Sequence, residues 1–228
     1  MSEQSAKADN SANQSDRQAG KRSRTYLDAL RAANAAGAYR VASRALDEGM
    51  SLAALYQEVI TPAMYELGRL WEKGAITVAD EHLATALTHR VLAALRPPAF
   101  VNQAFEGDSP KDRAMLAAVQ GEQHALGLRM AADLLEDAGY QTIYLGADVP
   151  TGALLQAIDS LSPTLLGLSA TMPESGTALA DVVGVVRSEH PGLNLLVGGQ
   201  ASAAPLVREA ATPVDDLELL LDQGVRTP

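Results

Sequence analysis

The chain has 228 residues, 47% of them apolar, no cysteine and a formal charge of −10. That length supports two domains with real cores, and the missing thiols exclude disulfides, thiolate metal sites and thioether-linked chromophores. An acidic surface is repelled by phosphate backbones, so nucleic acid is not expected as a direct partner. There is neither an apolar run of about 18 residues nor the basic-then-apolar layout of a signal peptide, so a cytoplasmic protein away from membranes is expected.

Residues 1–22 are rich in Ser, Asn, Gln, Lys and Asp with almost no large apolar side chain, and read as a disordered tail. The basic cluster Lys21, Arg22 and Arg24 reads as a solubilising first turn. Residues 23–97 then repeat apolar side chains at helical spacing. Tyr26, Leu27, Leu30 and Ala33 form a short face, and Val41 and Leu46 belong to a second helix that stops at Gly49. Ser51 is placed to N-cap a third helix running to Trp71, with Pro62 inside it as a kink and Gly74 ending it. Thr77 N-caps a fourth, which carries Asp80 and Glu81 in its first turn and stops before Pro97 and Pro98. Four short helices with brief connections predict a bundle.

Residues 98–111 form a linker of Pro, Gly and polar residues. Beyond it the period changes. Strands are expected at 114–119, 142–145, 165–168 and 193–197, with helices at 126–138, 151–160, 177–189, near 203–210 and at 215–222. Strands alternating with helices imply a parallel sheet covered on both faces. The fold class is therefore α/β: an N-terminal four-helix bundle cap, then a doubly wound, Rossmann-like or flavodoxin-like parallel-sheet domain over 112–228.

In such a sheet a ligand sits outside the carboxyl ends of the strands. Three loops at that edge carry small or polar residues: Gln120 to Gly127, Ser169 to Thr171, and Gly198-Gly199. Glu122 and His124 are the informative pair, because a metal-ligating histidine commonly gives its other ring N–H to a carboxylate. One histidine with no second His or Cys nearby is too little for zinc. It suits a metal that arrives inside a macrocycle and needs one axial ligand. No nucleophile elbow, Walker sequence or dinucleotide fingerprint is present, so catalysis by this chain alone is not expected.

Glu122-x-His124-x-x-Gly127, Ser169-x-Thr171 and Gly198-Gly199 together resemble the cobalamin-binding signature Asp-x-His-x-x-Gly, Ser-x-Leu, Gly-Gly, in order and in strand position. The resemblance implies that His124 is the lower ligand of cobalt in place of the cofactor's benzimidazole. It implies that Glu122 orients His124, and that Gly127, Ser169, Thr171, Gly198 and Gly199 border the displaced nucleotide tail. Glu122 replaces the commoner Asp and Thr171 the commoner Leu; the Glu form resembles light-sensing members. In the helical part, Trp71 followed nine residues later by Glu81-His82 is similar to the signature of CarH-type adenosylcobalamin photoreceptors. There the tryptophan packs where the adenosyl group lies and the Glu-His pair contacts it. Glu72 stands where some relatives have a further histidine. His89 and His190 read as structural.

What this resemblance implies is a stand-alone photoreceptor: adenosylcobalamin held in the dark, light cleaving its cobalt–carbon bond, and a resulting change in conformation or association. Its partners would be cobalamin, a second copy of the chain in a homo-oligomer, with a dimer one form, and a downstream protein. Two alternatives stay open, a corrinoid methyl carrier serving methyltransferases and a cobalamin-binding antirepressor. The absence of cysteine excludes only thioether attachment of a bilin, and leaves non-covalent binding of one open.

Overall fold

The computed structural model describes the backbone of residues 3–96, 112–203 and 211–214. The linker at 98–111, nearly all of the helix expected near 203–210 and the helix expected at 215–222 lie outside the described residues. The chain divides into two compact units, Met1–Pro97 and Pro98–Pro228.

The first unit is helical: α1 Glu3–Arg31, α2 Ala35–Asp47, α3 Leu52–Ala54, a π turn Leu55–Ile60, α4 Thr61–Glu72 and α5 Val78–Leu95. The stretch read as a disordered tail is helical from Glu3, a correction to the compositional reading. Polarity counts miss helix propensity: Ala, Gln, Lys, Arg and Glu all favour helix, and no proline interrupts. From Ala19 onward α1 also has a core to hold it, with Ala19, Ser23, Tyr26, Leu27 and Leu30 buried. The kink expected at Pro62 takes the form of a π turn. Proline has no N–H and its ring crowds the preceding turn. The helix widens just before it, with Thr61 N–H bonded to Tyr56 O.

Tyr56, Leu55, Ile60, Leu67 and Leu92 fill the bundle beside Tyr26. The buried Tyr26 hydroxyl donates to Thr88 Oγ1 at 3.3 Å, and Thr88 Oγ1 donates to Ala84 O at 3.0 Å. This core polar chain is therefore satisfied. Burial pushes the Tyr26 phenol up to about 12, against the opposing effect of Thr88. At the start of α5, Thr77 Oγ1 accepts from Asp80 N–H and Asp80 Oδ2 accepts from Thr77 N–H, a reciprocal cap. Among the described residues no helix is long and apolar enough to cross a membrane.

The second unit is a five-stranded parallel sheet in the order β2-β1-β3-β4-β5. Its elements are β1 Arg113–Val119, α6 Leu126–Asp137, β2 Gln141–Val149, α7 Thr151–Leu161, β3 Leu165–Ser169, α8 Gly176–Glu189, β4 Asn194–Gly198 and β5 Thr212–Val214. Short 3₁₀ turns at Pro173–Ser175 and Gln200–Ala203 follow β3 and β4. β1 is buried along nearly its whole length, which is why it reads as an unbroken apolar run. Met115, Ala117 and Val119 pack with Leu154, Ile158, Leu179, Val183 and Val186 from α7 and α8. The alternate residues Ala114, Leu116 and Ala118 are buried on the opposite face. β5 was not anticipated: it is three residues long and contains Pro213, which an edge strand tolerates.

β2 runs further than expected, to Val149, by absorbing two register shifts against β1. Gly146 (φ 83°) and Asp148 (φ 53°) lie at these irregularities. Gly199 (φ 89°) closes β4 so tightly on the β3 loop that a Cβ there would stand 2.2 Å from Ala170 O. Gly199→Ala is therefore expected to cost about 2–4 kcal/mol, read as a lower urea midpoint for the α/β unit.

Candidate functional site

β1 and β3 lie side by side, yet their connections leave in opposite directions, β1 toward the edge strand β2 and β3 toward β4. The crevice outside their carboxyl ends is where a doubly wound sheet of this order receives a ligand. The loop after β1 carries Glu122 and His124, and the loop after β3 carries Thr171 and Met172.

Glu122 has no exposed surface. Its Oε1 accepts from His124 N–H at 2.8 Å and lies 2.6 Å from His124 Nδ1. Its Oε2 accepts from Thr171 N–H at 2.7 Å and Met172 N–H at 2.9 Å. One carboxylate thus folds its own loop and joins it to the next. Burial alone would raise this acid. The N–H groups of Met172, His124 and Thr171, together with the His124 ring, outweigh burial and lower it to about 2. An ionised acceptor makes Nδ1 the donor in this pair and leaves Nε2 on the side of the ring away from the carboxylate. The His124 side chain is 55% exposed, so that nitrogen belongs to a ring open to the surroundings.

A second set of ties comes from β2. Gly121 N–H donates to Asp148 Oδ1 at 2.7 Å, and Asp148 N–H donates to Glu122 O at 2.9 Å. The Tyr144 hydroxyl donates to Ala125 O at 3.2 Å. The sequence alone does not mark Asp148 or Tyr144 as part of the site. The available signal was a glycine and an aspartate interrupting an apolar strand just before Pro150.

The other expected residues fall at the same edge. Ser169 ends β3 and is buried, in register with Ala118 of β1 and Gly198 of β4. Thr171 enters through its backbone N–H, so the exchange of Leu for Thr leaves that contact intact. The two flanking glycines differ in kind. Gly199 is demanded by the protein's own packing, whereas a Cβ at Gly127, in the first turn of α6, would meet no protein atom within 4 Å.

Trp71, Glu81 and His82 belong to the helical unit. Trp71 lies in the last turn of α4, 45% exposed, with Gly74 (φ 67°) just past the end of the helix. His82 Nδ1 lies 2.6 Å from Glu81 Oε2, and Glu81 Oε1 accepts from the Thr85 hydroxyl at 2.9 Å. Adjacent residues on a helix diverge by about 100°, yet here the side chains meet. The pairing repeats that of Glu122 with His124, and the His82 ring is 75% exposed.

Two family models, each described as a B12 binding domain, match the chain at residues 23–96 and 112–218. The chain is 33% identical over 184 residues to the HTH-type transcriptional repressor CarH of Myxococcus xanthus, across 78% of this chain and 58% of that protein. It therefore spans less than two thirds of that relative. It is 23% identical over 161 residues to a corrinoid protein of Desulfitobacterium hafniense, across 70% of this chain and 74% of that one. The solved monomethylamine corrinoid protein of Methanosarcina barkeri shares the fold, with a TM-score of 0.70 at 18% identity over 88% of this chain and 95% of that one. The chain is built from B12 binding domains, a helical one and an α/β one. It is a cobalamin-binding protein.

Glu122→Gln sets an amide N–H₂ against one of the donors the carboxylate now accepts, and should cost the α/β unit about 2–4 kcal/mol. The same acid sets a pH dependence. Its folded pKa lies below the unfolded value of about 4.3. Its contribution, on the order of 3 kcal/mol, is thus fully present above about pH 5 and is lost as pH falls toward 2. Urea midpoints measured between pH 7 and 2.5 should fall less steeply below pH 5 in Glu122→Gln than in the parent.

Proposed function

We propose that the chain is a light sensor holding adenosylcobalamin, with His124 as the lower axial ligand of cobalt. The observation that carries this is His124 itself: Nδ1 occupied by a buried carboxylate, the ring half exposed, at the β1/β3 crevice. A single imidazole fits a metal whose remaining ligands come from a macrocycle. The carboxylate behind it holds the ring in one orientation. Gly127, with open space where a Cβ would stand, suits close passage of the cofactor's tail, and Ser169 with Gly198 would border it.

When bound, adenosylcobalamin supplies a cobalt–carbon bond that visible light can break. Trp71, Glu81 and His82 are assigned to the adenosyl side by the resemblance of their spacing. Their exposure, and the carboxylate holding His82 through Nδ1, leave an aromatic face and an imidazole available to a ligand. Glu122 in place of Asp and the 33% identity to CarH support the light-sensing reading. The output would be a change in self-association or in docking to a protein partner.

A second reading, a methyl-carrying corrinoid protein, is favoured by the relatives of that name and by the shared fold. Green light separates the two. Protein loaded with adenosylcobalamin in darkness should change its absorption spectrum on illumination and shift in size-exclusion elution, or in binding to a partner. His124→Ala should lose the spectrum of a histidine-bound cobalt. An unchanged spectrum in the light, with methyl loading by a methyltransferase, would establish the carrier instead. Gly127→Ala gives an independent check. It should leave the empty protein as stable or up to about 1 kcal/mol more stable, while weakening cobalamin affinity measured by titration.

A further inference from the structure

The loop that presents His124 is held from two sides. Glu122 joins it to the β3 loop, and β2 braces it from the other flank. We infer that Asp148 is a positioning residue for His124, acting through the backbone of residues 121 and 122. This rests on the proposed ligand role of His124.

Asp148 touches the loop twice: its carboxylate accepts from Gly121 N–H at 2.7 Å and its own N–H donates to Glu122 O at 2.9 Å. These bonds bracket the residue whose carboxylate orients the His124 ring. Asp148 reaches them only because β2 departs from regular pairing. The register runs Leu116 with Tyr144, then Ala117 with Gly146, then Val119 with Val149, so β2 contributes extra residues at both steps. Such irregularities bend a strand and re-aim its side chains, and they are frequent beside functional sites.

The backbone at Asp148 (φ 53°) is left-handed, a conformation that costs a non-glycine residue energy and that Asp and Asn tolerate best. If only the turn mattered, glycine would serve it better. Aspartate keeps the conformation and adds the acceptor that Gly121 uses. Tyr144 gives the brace a second point, since its hydroxyl holds Ala125 O on the other side of His124. The ring is steadied in turn by Arg129, 6.0 Å from its centroid, which is paired with the buried Asp133. Burial raises the Tyr144 phenol, so it remains a protonated donor at neutral pH.

Asp148→Gly and Asp148→Asn separate positioning from folding. Glycine relieves the backbone and removes the acceptor; asparagine keeps both the left-handed preference and an acceptor oxygen. In the cofactor-free protein, amide hydrogen exchange at Gly121 should accelerate about tenfold or more in Asp148→Gly and stay near the parent in Asp148→Asn. Adenosylcobalamin affinity, with its histidine-bound spectrum, should fall about tenfold in the glycine variant and recover in the asparagine one. Parental exchange in Asp148→Gly would overturn the inference, as would equal loss in both variants. If the parent and His124→Ala bind adenosylcobalamin equally, it is the axial-ligand reading that fails. The exchange result still decides the role of Asp148.

Discussion

A carboxylate withdrawn from water destabilises a fold unless hydrogen bonds replace its hydration. Glu122 is fully buried, and both of its oxygens are answered, three times by backbone N–H groups and once by an imidazole. The rest of the site depends on this arrangement. The same negative charge that joins two loops across the crevice also orients the His124 ring through its Nδ1. Loop stability and the orientation of the His124 ring thus rest on one interaction, and a substitution that loosens the loops is expected to disorder the ring as well.

The sheet supplies the place where this interaction can form. Parallel strands in the order β2-β1-β3-β4-β5 bring the carboxyl ends of β1 and β3 together while sending their helices to opposite faces. That leaves a crevice whose walls are loops and not helix. The bulged end of β2 braces the loop after β1, and the tight Gly199 turn packs against the loop after β3. In the helical unit a second carboxylate–imidazole pair is held by a helix N-terminus. Glu81 and His82 sit in the first turn of α5, where a reciprocal cap between Thr77 and Asp80 fixes the backbone. Trp71 lies in the last turn of α4, three residues before the left-handed Gly74.

Much of this was legible because the signals are local or strongly periodic. The continuous apolar stretch of β1, the N-caps at Ser51 and Thr77 and the helix stop at Gly74 can each be read within a few residues. Glu122 and His124 are two apart, so their pairing could be expected from spacing. What could not be read is long-range. Nothing near Glu122 announces that its second oxygen is claimed by backbone 49 and 50 residues away. Asp148 escaped because its role depends on register shifts, which are a property of two strands together. β5 escaped because three residues around a proline give no period. The N-terminal segment is not legible from composition, which reports polarity, whereas the helix there draws on propensity and on a core that begins at Ala19.

We propose that His124 gives cobalt its lower nitrogen. It is tested most directly by electron paramagnetic resonance of the protein loaded with cobalamin and reduced to the cobalt(II) state, prepared with ordinary and with ¹⁵N-labelled histidine. If His124 is the ligand, the superhyperfine splitting changes from the triplets of ¹⁴N to the doublets of ¹⁵N on labelling, and His124→Ala abolishes the change. Triplets that persist in the labelled protein would mean that the cofactor keeps its own base, contradicting the account.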